Sequence, residues 1–175
     1  MQGNIYLVGL MGAGKTTVGR KLSNLMERDF LDTDQMMETR TGVAISYIFE
    51  VEGESGFRDR ESALLKEVSE LSGKVISTGG GIVLREENRL MMRESGLVIY
   101  LRASLGLLWS RLRGCRKRPL LQSDNPKEKI RMLIEERDGM YKEAADIVVD
   151  ANSESAAKMA KKIQQMLVNH EDSQH

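Results

Sequence analysis

One cysteine, two histidines and two prolines in 175 residues exclude several kinds of chemistry at once. Cys115 has no partner for an internal disulfide, and His170 and His175 both sit in the polar C-terminal stretch, so no Cys/His metal site can be assembled. Any metal would have to be held by oxygen. The 26 Lys and Arg balance 26 Asp and Glu to zero formal net charge, so no overall basic field gathers nucleic acid or an anionic membrane. Attraction for anions must therefore be local. No run approaches the roughly 18–20 apolar residues of a membrane span, and MQGNIYLVGLMGAGKTT has neither the charged start nor the cleavage site of a signal peptide. The expectation is a cytoplasmic protein.

Repeats, low-complexity blocks and Pro/Gly-rich linkers are missing too, and the length suits one domain with its own core. What is present is an alternation. Ile5 to Val8, Phe30 to Asp32, Lys74 to Ser77, Leu97 to Leu101 and Ile147 to Asp150 read as buried strands. Between them run helical patterns, such as Leu105, Leu108, Trp109 and Leu112, or Ala156 to Leu167. Strands separated by helices pair in parallel, because only a long crossover returns the chain in the same direction. An α/β sandwich follows, as one domain over residues 1–168, with a frayed polar tail expected over 169–175.

Gly9-Leu-Met-Gly-Ala-Gly14-Lys15-Thr16 fits GxxxxGK(S/T) and lies between an apolar strand and a helical segment. In that setting Gly12, Ala13, Gly14, Lys15, Thr16 and Thr17 would cradle phosphates. Main-chain N–H groups and the helix dipole face the anion, Lys15 adds a full charge, and Thr16 is placed to ligate Mg²⁺. Nucleoside triphosphate binding follows. Neither the NKxD nor the DxxG motif of a switch GTPase occurs, which favours a kinase.

The acceptor side is read from four features. Asp32 and Asp34 close the second strand, where on an extended chain they share a face; one can hold Mg²⁺ through water while the other accepts a hydrogen bond from an attacking hydroxyl. The competing reading has Asp34 capping a helix that begins near Gln35. Arg137 falls on an apolar helical stripe with Ile130, Leu133, Ile134 and Tyr141, so its guanidinium needs either an internal carboxylate or a ligand anion. Arg58 is a second candidate for a ligand carboxylate, although Glu54 and Glu61 stand at helix-pairing distances from it. Thr78-Gly79-Gly80-Gly81 follows the third strand, with three glycines that let a ligand approach the backbone.

From Arg111 to Arg118 five cations stand in eight residues, followed by ProLeuLeuGlnSerAspAsnPro. Beside a triphosphate this reads as a lid over about residues 112–124, opened by its own repulsion and drawn shut by phosphate; a solvated basic loop is the alternative. Cys115, within it, has no assigned chemistry.

GLMGAGKTT, DTD at Asp32 to Asp34, GFR at Gly56 to Arg58, GGG at Gly79 to Gly81 and RPLL at Arg118 to Leu121 together resemble the shikimate kinases, small P-loop kinases of the nucleoside-monophosphate-kinase type. The resemblance covers Asn4 to Asp150. It implies a three-layer α/β/α fold with a five-stranded parallel sheet in the order 2-3-1-4-5, and transfer of the ATP γ-phosphoryl group to the 3-hydroxyl of shikimate. By the same resemblance Asp34, Arg58, Gly79, Gly80, Gly81 and Arg137 hold shikimate, and Ile45, Phe49 and Phe57 wall its pocket. Lys15, Asp34 and Arg118 act in catalysis, Arg111 and Asn152 flank adenine, and Thr16 and Asp32, with Ser77, serve Mg²⁺. Small-molecule substrates and a monomer, without nucleic-acid or membrane partners, complete the expectation. A gluconate-type kinase or a nucleotide-dependent switch module are the rivals.

Overall fold

Five short apolar runs form β1 (Asn4–Val8), β2 (Phe30–Asp32), β3 (Val75–Ser77), β4 (Gly96–Ala103) and β5 (Ile147–Ala151). The computed structural model describes residues 3–114 and 123–172. All pairings are parallel and the order is β2-β3-β1-β4-β5. β1 is buried at every position, as a central strand covered on both faces must be. β5 departs from the fully buried strand expected: Val148 and Asp150 are exposed, because β5 is an edge strand.

The helices are α1 (Lys15–Leu25), α2 (Thr33–Thr41), α3 (Ile45–Ser69), α4 (Glu86–Ser95), α5 (Leu105–Leu112), α6 (Pro126–Ala144) and α7 (Ala156–Asp172), with a 3₁₀ turn at Ile82–Leu84. Local chemistry sets several starts. The Ser104 side chain accepts from the Leu107 amide at α5, and Asn125 caps α6 with Pro126 at its first position. α3 breaks at Gly53 (φ 73°, ψ 179°), and Arg60 spans the break with two bonds to Glu52 at 2.7 and 2.6 Å.

Strand order dictates the layers. The β1-to-β2 connection runs one way along the sheet, while those into β3, β4 and β5 run the other, so right-handed crossovers place α1 opposite α3, α4 and α6. Packing agrees: α1 lies against α7, whereas α3, α4 and α6 pack in series. Connections therefore leave the neighbouring ends of β1 and β3 toward opposite faces, which opens a crevice there.

α7 continues to Asp172, so the polar tail does not begin at residue 169. Apolar periodicity ends at Leu167, but each further helical residue adds a backbone bond without new nucleation. Among the described residues no helix is long and apolar enough to cross a membrane.

Candidate active site

The ends of three strands meet in register. Leu7 pairs with Ser77 and Asp32 pairs with Ser77, so the phosphate loop, the DTD segment and the triglycine turn emerge side by side. The joints are hydrogen-bonded. Thr78 donates through its amide and its hydroxyl to the Leu7 carbonyl at 3.2 and 2.9 Å, and the Gly79 amide donates to Thr33 Oγ1 at 3.2 Å.

α1 starts at Lys15 behind Gly14, whose φ of 99° favours glycine and whose place at the N-cap supplies no side-chain acceptor. The first-turn amides are thereby left to a ligand. Lys15, only 8% exposed, donates from Nζ to the carbonyls of Gly9 and Leu10 at 2.6 and 2.9 Å. Thr16 Oγ1 donates to Asp32 Oδ2 at 2.6 Å and lies 3.4 Å from Ser77 Oγ. Three oxygen donors thus gather at one point, a set suited to a hard divalent cation that keeps part of its water.

A cleft of about 400 Å³ runs over this floor. Gly12, Ala13, Gly14, Lys15, Thr16 and Thr17 line it, with Asp32, Asp34, Ser77 and Gly80 on one side and Arg111, Ala151 and Asn152 on the other. At the second end Arg111 bridges two loops, donating to the Gly12 carbonyl at 2.9 Å and to the Asn152 carbonyl at 3.2 Å. The structure therefore brings together the residues expected at the nucleotide. Met11, Leu101, Glu154 and Met159, also in the lining, were missed, since a lone apolar or acidic residue in a loop, or an apolar one that fits the period of its own strand or helix, carries no ligand signal. Arg118, Cys115 and most of the expected lid lie outside the described residues; Leu112, its expected first residue, closes α5 and packs at the position a Gly12 Cβ would take, 2.9 Å away.

Two expectations about the aspartates are corrected. It is Asp32 that caps α2, accepting from the Gln35 amide at 3.1 Å, and Asp34 lies within the first helical turn. The two carboxylates thus do not lie on one extended chain. Helix geometry carries Asp34 toward the triglycine turn, where Asp34 Oδ1 stands 2.8 Å and Glu61 Oε1 2.7 Å from the place a Gly79 Cβ would occupy.

Arg58, on α3, is 7% exposed and donates to Glu61 at 2.7 Å and to Glu54 at 3.4 Å. Both glutamates named in the pairing alternative are engaged, but Glu61 is 3% exposed, so this is no surface pair. Burial pushes the Glu61 carboxyl above its ordinary value, against the pull of the Arg58 guanidinium and with the help of the Asp34 charge. The Phe49 and Phe57 rings lie tilted at 32° with centroids 4.6 Å apart, the guanidinium lies 5.1 Å from the Phe57 ring, and Ile45 packs on the core. Arg137 is 3% exposed, with Glu136 3.9 Å from its Nε. Arg58 and Arg137 do not line the 400 Å³ cleft. They back the acceptor end of it, where Arg58 Nε, Glu61 Oε1 and Arg137 Nε are buried without hydrogen-bond partners among the described residues. Buried polar atoms left in this way are suited to an anionic, hydroxylated ligand.

The sequence model described as shikimate kinase matches residues 11–168. A shikimate kinase from Thiobacillus denitrificans is 54% identical over 158 residues, 90% of this chain and 86% of that one. The structure of a shikimate kinase from Acinetobacter baumannii in complex with shikimate is similar at a TM-score of 0.94 and 44% identity, over 96% of this chain and 94% of that one. A gluconokinase from Sinorhizobium meliloti reaches a TM-score of 0.59 at 13% identity, covering 99% and 98% of the two chains, a likeness of fold alone. Agreement of this extent, reaching from the nucleotide loop through the acceptor wall, makes the chain a member of the shikimate kinase family.

Proposed function

We propose that the cleft transfers the γ-phosphoryl group of ATP to the 3-hydroxyl of shikimate, giving ADP and shikimate 3-phosphate. The observation that carries this reading is that Asp34 lines the same cleft as Lys15 and Thr16, so the acceptor hydroxyl and the phosphate meet in one space. Phosphoryl transfer depends chiefly on alignment and charge neutralisation, and the residues fall into those two tasks.

Lys15 exchanges its bonds to Gly9 and Leu10 for phosphate oxygens, joined by the amides of Gly12 to Thr17. Thr16 and Asp32, with Ser77 through water, would hold Mg²⁺, which supplies charge neutralisation on the terminal phosphates. Arg58 and Arg137 grip the shikimate carboxylate, Gly79 to Gly81 offer amides, and Ile45, Phe49 and Phe57 cover the ring. Asp34 accepts the hydrogen bond of the attacking hydroxyl and sets its line of approach. Arg111 and Asn152 border the adenine. One chain furnishes both subsites, which supports a monomer, and use of ATP supports a cytoplasmic site of action.

The test is a panel of acceptors with ATP and Mg²⁺. ADP release with shikimate, negligible release with gluconate or nucleoside monophosphates, and a product phosphorylated on the 3-oxygen by NMR are expected. Release with gluconate but none with shikimate would overturn the proposal.

A further inference from the structure

Tyr141 on α6 has no place in the site as described, yet it is fully buried and its hydroxyl donates to the carbonyl oxygen of Gly80, 61 residues earlier in the chain. A phenol spent on one main-chain oxygen of an acceptor loop asks for a reason.

The carbonyls of the triglycine turn are tied in sequence. Gly79 O accepts from the Ile82 amide at 3.1 Å, Gly80 O from Tyr141, and Gly81 O from the Leu84 amide at 3.1 Å. The middle tether is the one supplied from another element. The Gly80 carbonyl and the Gly81 N–H belong to one planar trans unit, so a fixed oxygen fixes the direction of that N–H. Between two glycines such a unit otherwise turns at little steric cost. The amides of Gly80 and Gly81 have no main-chain acceptor among the described residues. Gly81 also abuts the acceptor machinery, since a Cβ there would lie 2.3 Å from both terminal nitrogens of Arg58.

The ring is itself held. Tyr100 of β4 stacks on it at 4.8 Å and 26°, and the Tyr100 hydroxyl donates to Asp138 Oδ1 at 3.0 Å. Burial pushes the Tyr141 phenol above its usual range, while Arg137 and Arg58 pull it down and Glu61 opposes them, so the hydroxyl keeps its proton and remains a donor.

We propose that Tyr141 is a positioning residue for the acceptor: its hydroxyl locks the Gly80–Gly81 peptide so that the Gly81 amide, beside the Arg58 guanidinium, stands ready for the bound acid. The inference rests on the acceptor reading given above. It acts through the glycines and not by touching the substrate.

Tyr141→Phe keeps the ring, its stacking and its burial while removing the donor. With shikimate and ATP as the probes, the shikimate KM should rise about five- to twentyfold while the ATP KM stays within twofold. Calorimetric titration of shikimate alone should show the same loss. Tyr100→Phe, which releases only the bond steadying the stacked ring, should raise the shikimate KM about two- to threefold with the ATP KM unmoved. It carries the test by itself should Tyr141→Phe not fold. A lowered melting temperature with both KM values unchanged, or equal changes in the two, overturns the positioning role. Absence of turnover of shikimate by the unaltered protein removes the acceptor reading and this inference with it, so the two failures are told apart.

Discussion

Gly81→Ala asks whether the acceptor arginine is where the site requires it. Gly81 has φ −94° and ψ 8°, a negative-φ conformation open to alanine, so the added methyl acts chiefly by contact. That methyl would stand 2.3 Å from both terminal nitrogens of Arg58 and 2.4 Å from Cζ. Ordinary van der Waals contact needs the guanidinium to retreat by about 1 Å. It has little room: Glu61 holds it at 2.7 Å and the Phe57 ring lies 5.1 Å away. Overpacking of this kind costs about 1–3 kcal/mol, and breaking the buried pair outright about 3–5 kcal/mol, so we expect about 2 kcal/mol. For a chain of this size that lowers Tm by about 4–8 °C. Shikimate KM should rise about tenfold or more, with ATP KM within twofold, because the bidentate geometry is lost. Thermal melts and initial rates on Gly81→Ala, Arg58→Ala and the double variant close a cycle. Removing Arg58 removes the obstacle, so the methyl should cost about 0.5 kcal/mol or less in that background, a coupling of about 1.5 kcal/mol. Additive effects, or a wild-type shikimate KM in Gly81→Ala, would refute the reasoning.

Thr16→Val removes the hydroxyl that bonds Asp32 at 2.6 Å; the Mg²⁺ concentration for half-maximal activity should rise about tenfold in a metal titration, and an unchanged curve would count against oxygen ligation there. Arg111→Ala cuts the bridge between the Gly12 and Asn152 carbonyls, so ATP KM should rise about fivefold while shikimate KM stays within twofold, measured by initial rates. Glu61 has a folded-state pKa raised above its ordinary 4.5, so the folded protein binds this proton more tightly than the unfolded chain. Its contribution is then full below pH 4.5 and is lost as pH climbs through the raised value. Glu61→Gln removes that dependence: melts across the pH range should show wild type losing stability relative to the variant as pH rises above 4.5. A widening advantage for wild type would mean that the ionised pair with Arg58 dominates.

Much of this protein is written in local signals. Eight residues of the phosphate loop, placed between an apolar strand and a helical run, specify a phosphate site because amide direction, dipole and lysine are all set within one turn of chain. The i, i+3, i+4 stripe through Ile130, Leu133, Arg137 and Tyr141 announces a buried guanidinium for the same reason: helical period is local. Only the tertiary structure decided boundaries, burial and distant partners. Asp32 caps α2 and Asp34 turns toward Gly79 because the chain enters a helix at Thr33, a boundary that FLDTD does not reveal. The Arg58–Glu61 pair is local to α3 and readable from its spacing, but its burial, and the meeting of Tyr141 with Gly80, follow from α3 and α6 both packing on the Ile82–Leu84 turn after β3. Spacing along a chain defines which side chains share a face; which face meets which, and whether water is left between them, is settled by how the sheet orders its strands and its connections cross over it.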